Sequence, residues 1–201
     1  MGNIIKKLKL VILLFVVNIT VLLSVFANQN QKVQNFVNNT AQQVILVIDS
    51  SDAEMQKKQK LRDIFCNTVD ISWMGKFALG KYYRNIAQEQ LKEYLIVYKA
   101  FLINAYVSKF SEYNGVNFDI DSIKLISNSQ YIVNTKVLNK KYNSKYINVA
   151  YRIKVVKERF LIRDIIAEDV SLILGQRSDF SSIISKEGVI GLIKKLKNKV
   201  T

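Results

Sequence analysis

The 201-residue sequence has no histidine and no proline, a single cysteine and only seven glycines. Without histidine, the common nucleophilic triads and the histidine-containing zinc sites are excluded. Cys66 stands alone, so no intramolecular disulfide can form, and with no imidazole to activate it the thiol reads as a small buried hydrophobe. The fold must therefore be held by its core. No glycine-rich phosphate loop is present among the seven glycines. The lack of proline, of a low-complexity linker and of any fixed-period repeat leaves no sign of a boundary between independent domains.

Carboxylates offer little chemistry. Asp119 and Asp121 form a D-x-D that reads as a turn and an exposed strand edge, with no metal expected. Asp164 and Glu168 lie four residues apart at the end of a strand, too far apart for an acid/base dyad. They are expected to make structural hydrogen bonds or to pair with Arg152, Arg163 or Arg177. No catalytic residue, metal or cofactor is expected, and the chain is not read as an enzyme.

What the sequence does have is apolar surface, at 49% of residues, enough to build a core at this length. Part of it forms the opening segment, where Lys6, Lys7 and Lys9 precede a continuous apolar run that ends in Val25-Phe26-Ala27. This is the pattern of a secretory signal over residues 1–27, cleaved after Ala27, with one domain over residues 28–201. The alternative is an uncleaved membrane anchor, since the run from Leu10 to Phe26 is nearly long enough to span a bilayer. Under either reading the remaining chain works outside the cytoplasm. The net charge is +14, and the three leader lysines leave +11 for the rest. Such a charge favours anionic membrane surfaces or acidic partners, and nucleic acid is a poor partner for an exported protein. The lysines are scattered, however, as on a generally basic, solvated surface.

Two periodicities divide the exported part. From about Gln31 to Gly115 apolar residues recur at helical spacing. Val33, Phe36, Val37, Ala41, Val44, Ile45 and Ile48 form one stripe, and Leu61, Ile64 and Phe65 a second, behind a Ser51/Asp52 cap signal. A third helix is expected from Asp70 as N-cap to Gly80 as its closing glycine. A fourth, long helix carries Leu91, Leu95, Tyr98, Leu102 and Ala105 in one stripe, widened by Tyr94, Phe101, Phe110 and Tyr113, up to Asn114-Gly115. After Gly115 the period becomes two, clearest in "YINVAYRIKVV" and "QYIVNTKV", giving about four strands joined by short turns near Asn128, Asn143 and Lys157-Glu158. Two helical stretches close the chain, from about Leu172 to Ser185 and from Val189 to Lys199. The expected architecture is α+β, with helices packed on one face of a small curved antiparallel sheet of about four strands.

The segment "DISWMGKFALGKYYR" places four aromatics and two glycines in fifteen residues. Together with the run that follows it, through Gln90 and the Tyr/Phe-rich helix to Tyr113 and Gly115, it resembles the MlaC family, the toluene-tolerance proteins. The resemblance is carried by Asp70-Ile71, Trp73-Met74, Phe77, Leu79-Gly80 and Tyr82 or Tyr83. A second block, "IRDIIAEDVSLILGQRSDFSSIISKEGVIGLIKKL", is similar to the family's closing segment through Asp164, Glu168, Val170-Ser171, Arg177, Phe180, Gly188 and the helix Leu192–Leu196. Two positions depart from the family pattern: Asp169 stands where a glycine is usual, and Phe160 where a tryptophan is usual.

The resemblance implies a periplasmic phospholipid carrier with an apolar cavity between sheet and helices. It also implies partners: phospholipid as ligand, an inner-membrane ABC transporter complex and an outer-membrane lipoprotein complex, with maintenance of outer-membrane lipid asymmetry as the role. The carrier itself is expected to be a monomer. The expected cavity wall comprises Trp73, Phe77, Tyr83, Phe101, Tyr106, Tyr131, Val133, Val149, Tyr151 and Ile153, although a plain core position has the same hydrophobic signature. The competing reading is an exported basic scaffold domain with a filled core and no bound lipid.

Overall fold

The computed structural model describes residues 28–110, 116–139 and 146–200. The expected leader, Tyr113, Asn114-Gly115 and Asn143 lie outside them. Among the described residues no helix is long and apolar enough to cross a membrane.

The chain is helical over residues 28–49 (α1), then forms α2 (Glu54–Thr68), α3 (Ile71–Leu79), a 3-10 turn (Gly80–Arg84) and α4 (Gln88–Phe110). Five strands follow: β1 (Val116–Ser127), β2 (Gln130–Asn139), β3 (Tyr146–Val156), β4 (Arg159–Ala167) and β5 (Val170–Ser171). Helix α5 (Leu172–Asn198) closes the fold. The strands make one sheet in the order β1-β2-β3-β4-β5, each antiparallel to its neighbours. This is the α+β arrangement expected, with one strand more than the alternation revealed. β5 has two residues, too few to show a period. It pairs with β4 because Glu168 and Asp169 both take positive φ (46° and 64°) and turn the chain back. Asp169 thus adopts the backbone conformation that a glycine would favour.

The helix boundaries follow local chemistry. Asp70 caps α3, its Oδ1 accepting from the Trp73 N–H at 3.3 Å, and Gly80 ends the helix at φ 58°. In contrast, the Ser51/Asp52 pair does not cap α2. The N-cap is Ala53, which has no capping side chain, and Asp52 instead accepts from Lys60 Nζ (2.6 Å) and Ser50 Oγ (2.9 Å). The lysine is the main reason its carboxyl is held below the usual range. Helix α5 breaks at Gly188 (φ 68°, ψ −179°), a conformation open essentially to glycine alone, which separates the two closing helical stretches as expected.

Strand β4 organises the helices around it. Arg163 is an extra residue in the β3–β4 register, where Arg152 faces Asp164 and Ile153 faces Ile162. Its guanidinium donates to Asp70 Oδ2 at 2.9 Å, so the cap of α3 is tied to the strand. The next residue, Asp164, is 1% exposed and does the same for α5. Its Oδ1 accepts from the Ile173 N–H (3.2 Å) and its Oδ2 from Ser171 Oγ (2.7 Å), with Arg152 Nε at 3.8 Å. Ser171 is itself the N-cap of α5, accepting from the Leu174 N–H. Asp164 is therefore a structural carboxylate paired with Arg152, and Glu168 accepts from the Asn148 N–H at 2.7 Å.

Helix α4 packs against α2, α3 and α5, which explains why it is apolar around so much of its circumference. Tyr94, Tyr98 and Leu102 are fully buried on it. Tyr94 and Tyr98 stack at 5.6 Å, and Phe180 of α5 meets both edge-on at 6.4 and 6.1 Å. Their hydroxyls are satisfied: Tyr94 donates to the Gly75 carbonyl (3.0 Å) and Tyr98 to Gln176 Oε1 (2.7 Å). Burial raises both phenol pKa values. Gly75 allows α3 and α4 this close approach, since a Cβ there would lie 2.8 Å from the Tyr98 ring. This half of the interior is solid.

Candidate functional site

The other half is hollow. Between α1, α2 and the inward face of the sheet lies a half-enclosed cavity of about 440 Å³. Helix α1 contributes its stripe, Val37, Ala41, Val44, Ile45 and Ile48, along one wall. From α2 and the residue after it come Leu61, Ile64, Phe65 and Val69. Strands β1 to β4 form the opposite wall with Phe118, Val137, Ile147, Val149, Tyr151, Ile162, Ile165 and Ala167. Ala105 and Tyr106 of α4 and Leu172 of α5 complete it.

No charged side chain lines this space, and its two threonines turn their hydroxyls back to their own helices. Thr40 Oγ1 donates to the Phe36 carbonyl (2.8 Å) and Thr68 Oγ1 to the Ile64 carbonyl (2.7 Å), both one helical turn back. The Tyr106 hydroxyl is hydrogen-bonded to Gln176, while burial, reinforced by the charge of Asp164, raises its pKa. A cavity of this kind can take hydrocarbon and gives a charged group nothing to bind.

Of the ten residues expected to form the wall, the structure brings three to the cavity: Tyr106, Val149 and Tyr151. Tyr131, Val133 and Ile153 share the inward face of β2 and β3 with the lining residues but sit further along the strands. There the interior is filled, and they are 4%, 0% and 0% exposed. Phe101 lies with Tyr98 and Phe180 in the solid half. Tyr83 is 39% exposed, with Lys76 Nζ 6.0 Å from its ring.

Trp73 and Phe77 lie outside the cavity lining, as a pair of rings flanked by two guanidinium groups. They stack at 4.9 Å, with the Arg163 guanidinium 4.6 Å from the indole and that of Arg177 4.8 Å from the phenyl. The aromatics of "DISWMGKFALGKYYR" thus fasten α3 to β4 and α5. Sequence reasoning missed the rest of the lining, above all the α1 stripe, whose spacing was visible but whose opposing surface was not.

The sequence matches the MlaC protein family over residues 38–198. Among solved structures the fold is similar to that of the phospholipid-binding protein from Ralstonia solanacearum, determined in complex with a phospholipid. The TM-score is 0.72 at 20% sequence identity, over 83% of this chain and 96% of that one. With the family match running from within α1 to the last residue of α5, the chain belongs to the MlaC family.

Proposed function

We propose that this protein is a periplasmic carrier that holds phospholipid by its hydrocarbon in the cavity and shuttles it between an outer-membrane lipoprotein complex and an inner-membrane ABC transporter complex. It thereby helps to maintain outer-membrane lipid asymmetry. Residues 1–27 serve as the export signal and residues 28–201 as the carrier, which acts as a monomer. The observation that carries this reading is the 440 Å³ cavity with no charged side chain in its wall.

The physical need for such a cavity is plain. An acyl chain of about fifteen methylenes left in water costs on the order of 12 kcal/mol, at roughly 0.8 kcal/mol per methylene. Unassisted passage of lipid through an aqueous compartment is correspondingly rare. Tyr106, Val149 and Tyr151, with the α1 stripe, are the residues proposed to contact the chain. Release requires no reaction; a docking complex that binds the emptied state better than the loaded one supplies the difference.

The test is transfer of a fluorescent phospholipid from donor to acceptor vesicles held apart by a membrane that passes the protein but not the vesicles. Protein-dependent transfer, with about one lipid per chain by native mass spectrometry, is expected. Lipid-free protein that neither extracts nor delivers lipid would overturn the reading in favour of a scaffold.

A further inference from the structure

The two guanidinium groups that flank the Trp73 and Phe77 rings are not equivalent. Arg163 is paired with Asp70 at 2.9 Å, whereas Arg177 has no carboxylate partner among the described residues. Arg177 is nevertheless held in place. Its guanidinium lies 4.8 Å from the centre of the Phe77 ring, and the 3-10 turn closes against it at Gly80, where a Cβ would meet its Nε at 3.1 Å. A guanidinium stacked on a ring keeps its N–H edge for an oxyanion, which it can grip with two parallel hydrogen bonds.

Arg177 lines an open groove between the 3-10 turn and α5, separate from the cavity. Lys81 and Tyr82 come from the turn; Leu174, Arg177, Ser178 and Ser182 come from α5, with two further serines of that helix. No carboxylate lines the groove. Lys81 is also without a carboxylate partner among the described residues, its ammonium 5.2 Å from the centre of the Tyr82 ring. The chain from Ile71 to Gln88 carries Lys76, Lys81 and Arg84 and no Asp or Glu. On α5, Asp179 is two residues from Arg177, about 200° around the helix at 3.6 residues per turn, and is not part of the lining. Two cations and a row of hydroxyls thus meet with no counter-charge, which is the complement of a phosphate group.

Leu174 narrows what carries that phosphate. It is 54% exposed within the same groove. Cations, a tyrosine and an exposed aliphatic side chain on one surface suit a membrane interface. There the cations meet phosphates, the ring sits among head groups and the aliphatic chain reaches the acyl boundary. A free phosphate has no use for the leucine. We infer that this groove binds the phosphate of an anionic phospholipid head group at a bilayer surface and docks the protein there. The site goes beyond the carrier reading and does not use the cavity. Leu172, which lines the cavity, and Leu174 are about 200° apart on α5, so one site can be occupied without the other.

The test is sedimentation of the protein, secreted from the full-length chain, with vesicles of phosphatidylcholine alone or mixed with phosphatidylglycerol. Binding that requires phosphatidylglycerol is expected. Ser178→Glu with Ser182→Glu adds two carboxylates at exposed positions of the groove and should weaken that binding at least about tenfold, or about 1.4 kcal/mol. Asn39→Glu with Gln42→Glu, exposed on α1 and outside both linings, changes the net charge equally. This pair should leave binding within about threefold, because charges beyond a Debye length from the bilayer are screened. Equal losses in the two pairs would reduce the binding to general basic charge and overturn the inference; so would a protein that sediments with neither vesicle. If inorganic phosphate or polyglutamate binds instead, and only the groove pair weakens it, the groove serves a free anion or an acidic protein and the membrane assignment falls. Should the serine pair not fold, Lys81→Glu at an exposed lysine repeats the comparison. Native mass spectrometry of protein recovered free of vesicles reads the lipid held in the cavity, so docking and carriage can fail separately.

Discussion

Substituting Ala41 by phenylalanine should move lipid binding and stability in opposite directions. Ala41 lies within the lining stripe of α1, so the six added ring carbons enter the cavity. They exclude about six methylenes of ligand, worth about 5 kcal/mol at roughly 0.8 kcal/mol each. Affinity should fall by between three and four orders of magnitude on that basis. In lipid-free protein the same ring gains burial worth about 1.5–3 kcal/mol, less about 0.5 kcal/mol for the poorer helix propensity of phenylalanine. A net gain of about 1–2.5 kcal/mol corresponds to a rise in Tm of roughly 2–10 °C for a domain of this size. Thermal unfolding of both lipid-free proteins, beside the vesicle transfer assay, reads both effects. A variant destabilised by about 1–3 kcal/mol, as overpacking causes, with transfer intact, would show that the space is filled by side chains in solution and refute the reasoning.

Asp164→Ala removes a 1%-exposed carboxylate with two hydrogen-bond donors and Arg152 beside it. Since Arg152 is 31% exposed and can turn to water, the loss should fall near the lower end of the range for broken buried pairs, about 3 kcal/mol, measured by urea unfolding. A loss under about 1 kcal/mol would mean that Asp164 does not hold the start of α5. Gly188→Ala forces φ 68°, ψ −179° on a residue with a Cβ and should cost about 1–3 kcal/mol; an unchanged midpoint would show that α5 runs straight. Burial raises the phenol pKa of Tyr94, Tyr98, Tyr106 and Tyr131 above the ordinary value of 10.0. The unfolded chain therefore ionises first, and the stability these phenols contribute is intact below pH 10 and declines as the pH rises beyond it. The absorbance of these four phenolates should appear only with unfolding, and ionisation of all ten tyrosines in folded protein near pH 10 would contradict the assigned burial.

How far the fold could be read depended on how local each signal was. The Asp70 cap, the Gly80 stop, the Gly188 break and the alternation in β2 and β3 each act within a few residues, and each was legible. Two-residue β5 was not, because it exists only through the Glu168-Asp169 turn and its pairing with β4. The cavity was legible as a surplus of apolar surface but not in its membership. Trp73 and Phe77 attract attention as large rings, yet their partners, Arg163 and Arg177, are about ninety or more residues away in sequence and turn them into a clasp. The hollow half is walled mainly by Val, Ile, Leu and Ala, residues whose spacing on α1 looks the same whether they face a neighbouring side chain or a void. Which faces are filled is decided by the long-range meeting of α4 with α5, and no single segment encodes it.

The adjacency of Arg163 and Asp164 has a consequence for how this architecture can diverge. One residue positions the start of α3 and the next the start of α5, so both helices, which also pack on each other, take their origin from the same point on one strand. The chain between the 3-10 turn and β4 can then change in length or composition without shifting that origin. A drift that would accumulate along a succession of helix-to-helix contacts is reset at β4. Homologues with little sequence in common can keep the same frame around a cavity whose walls are free to vary, and a different cargo can evolve without a redesign of the fold.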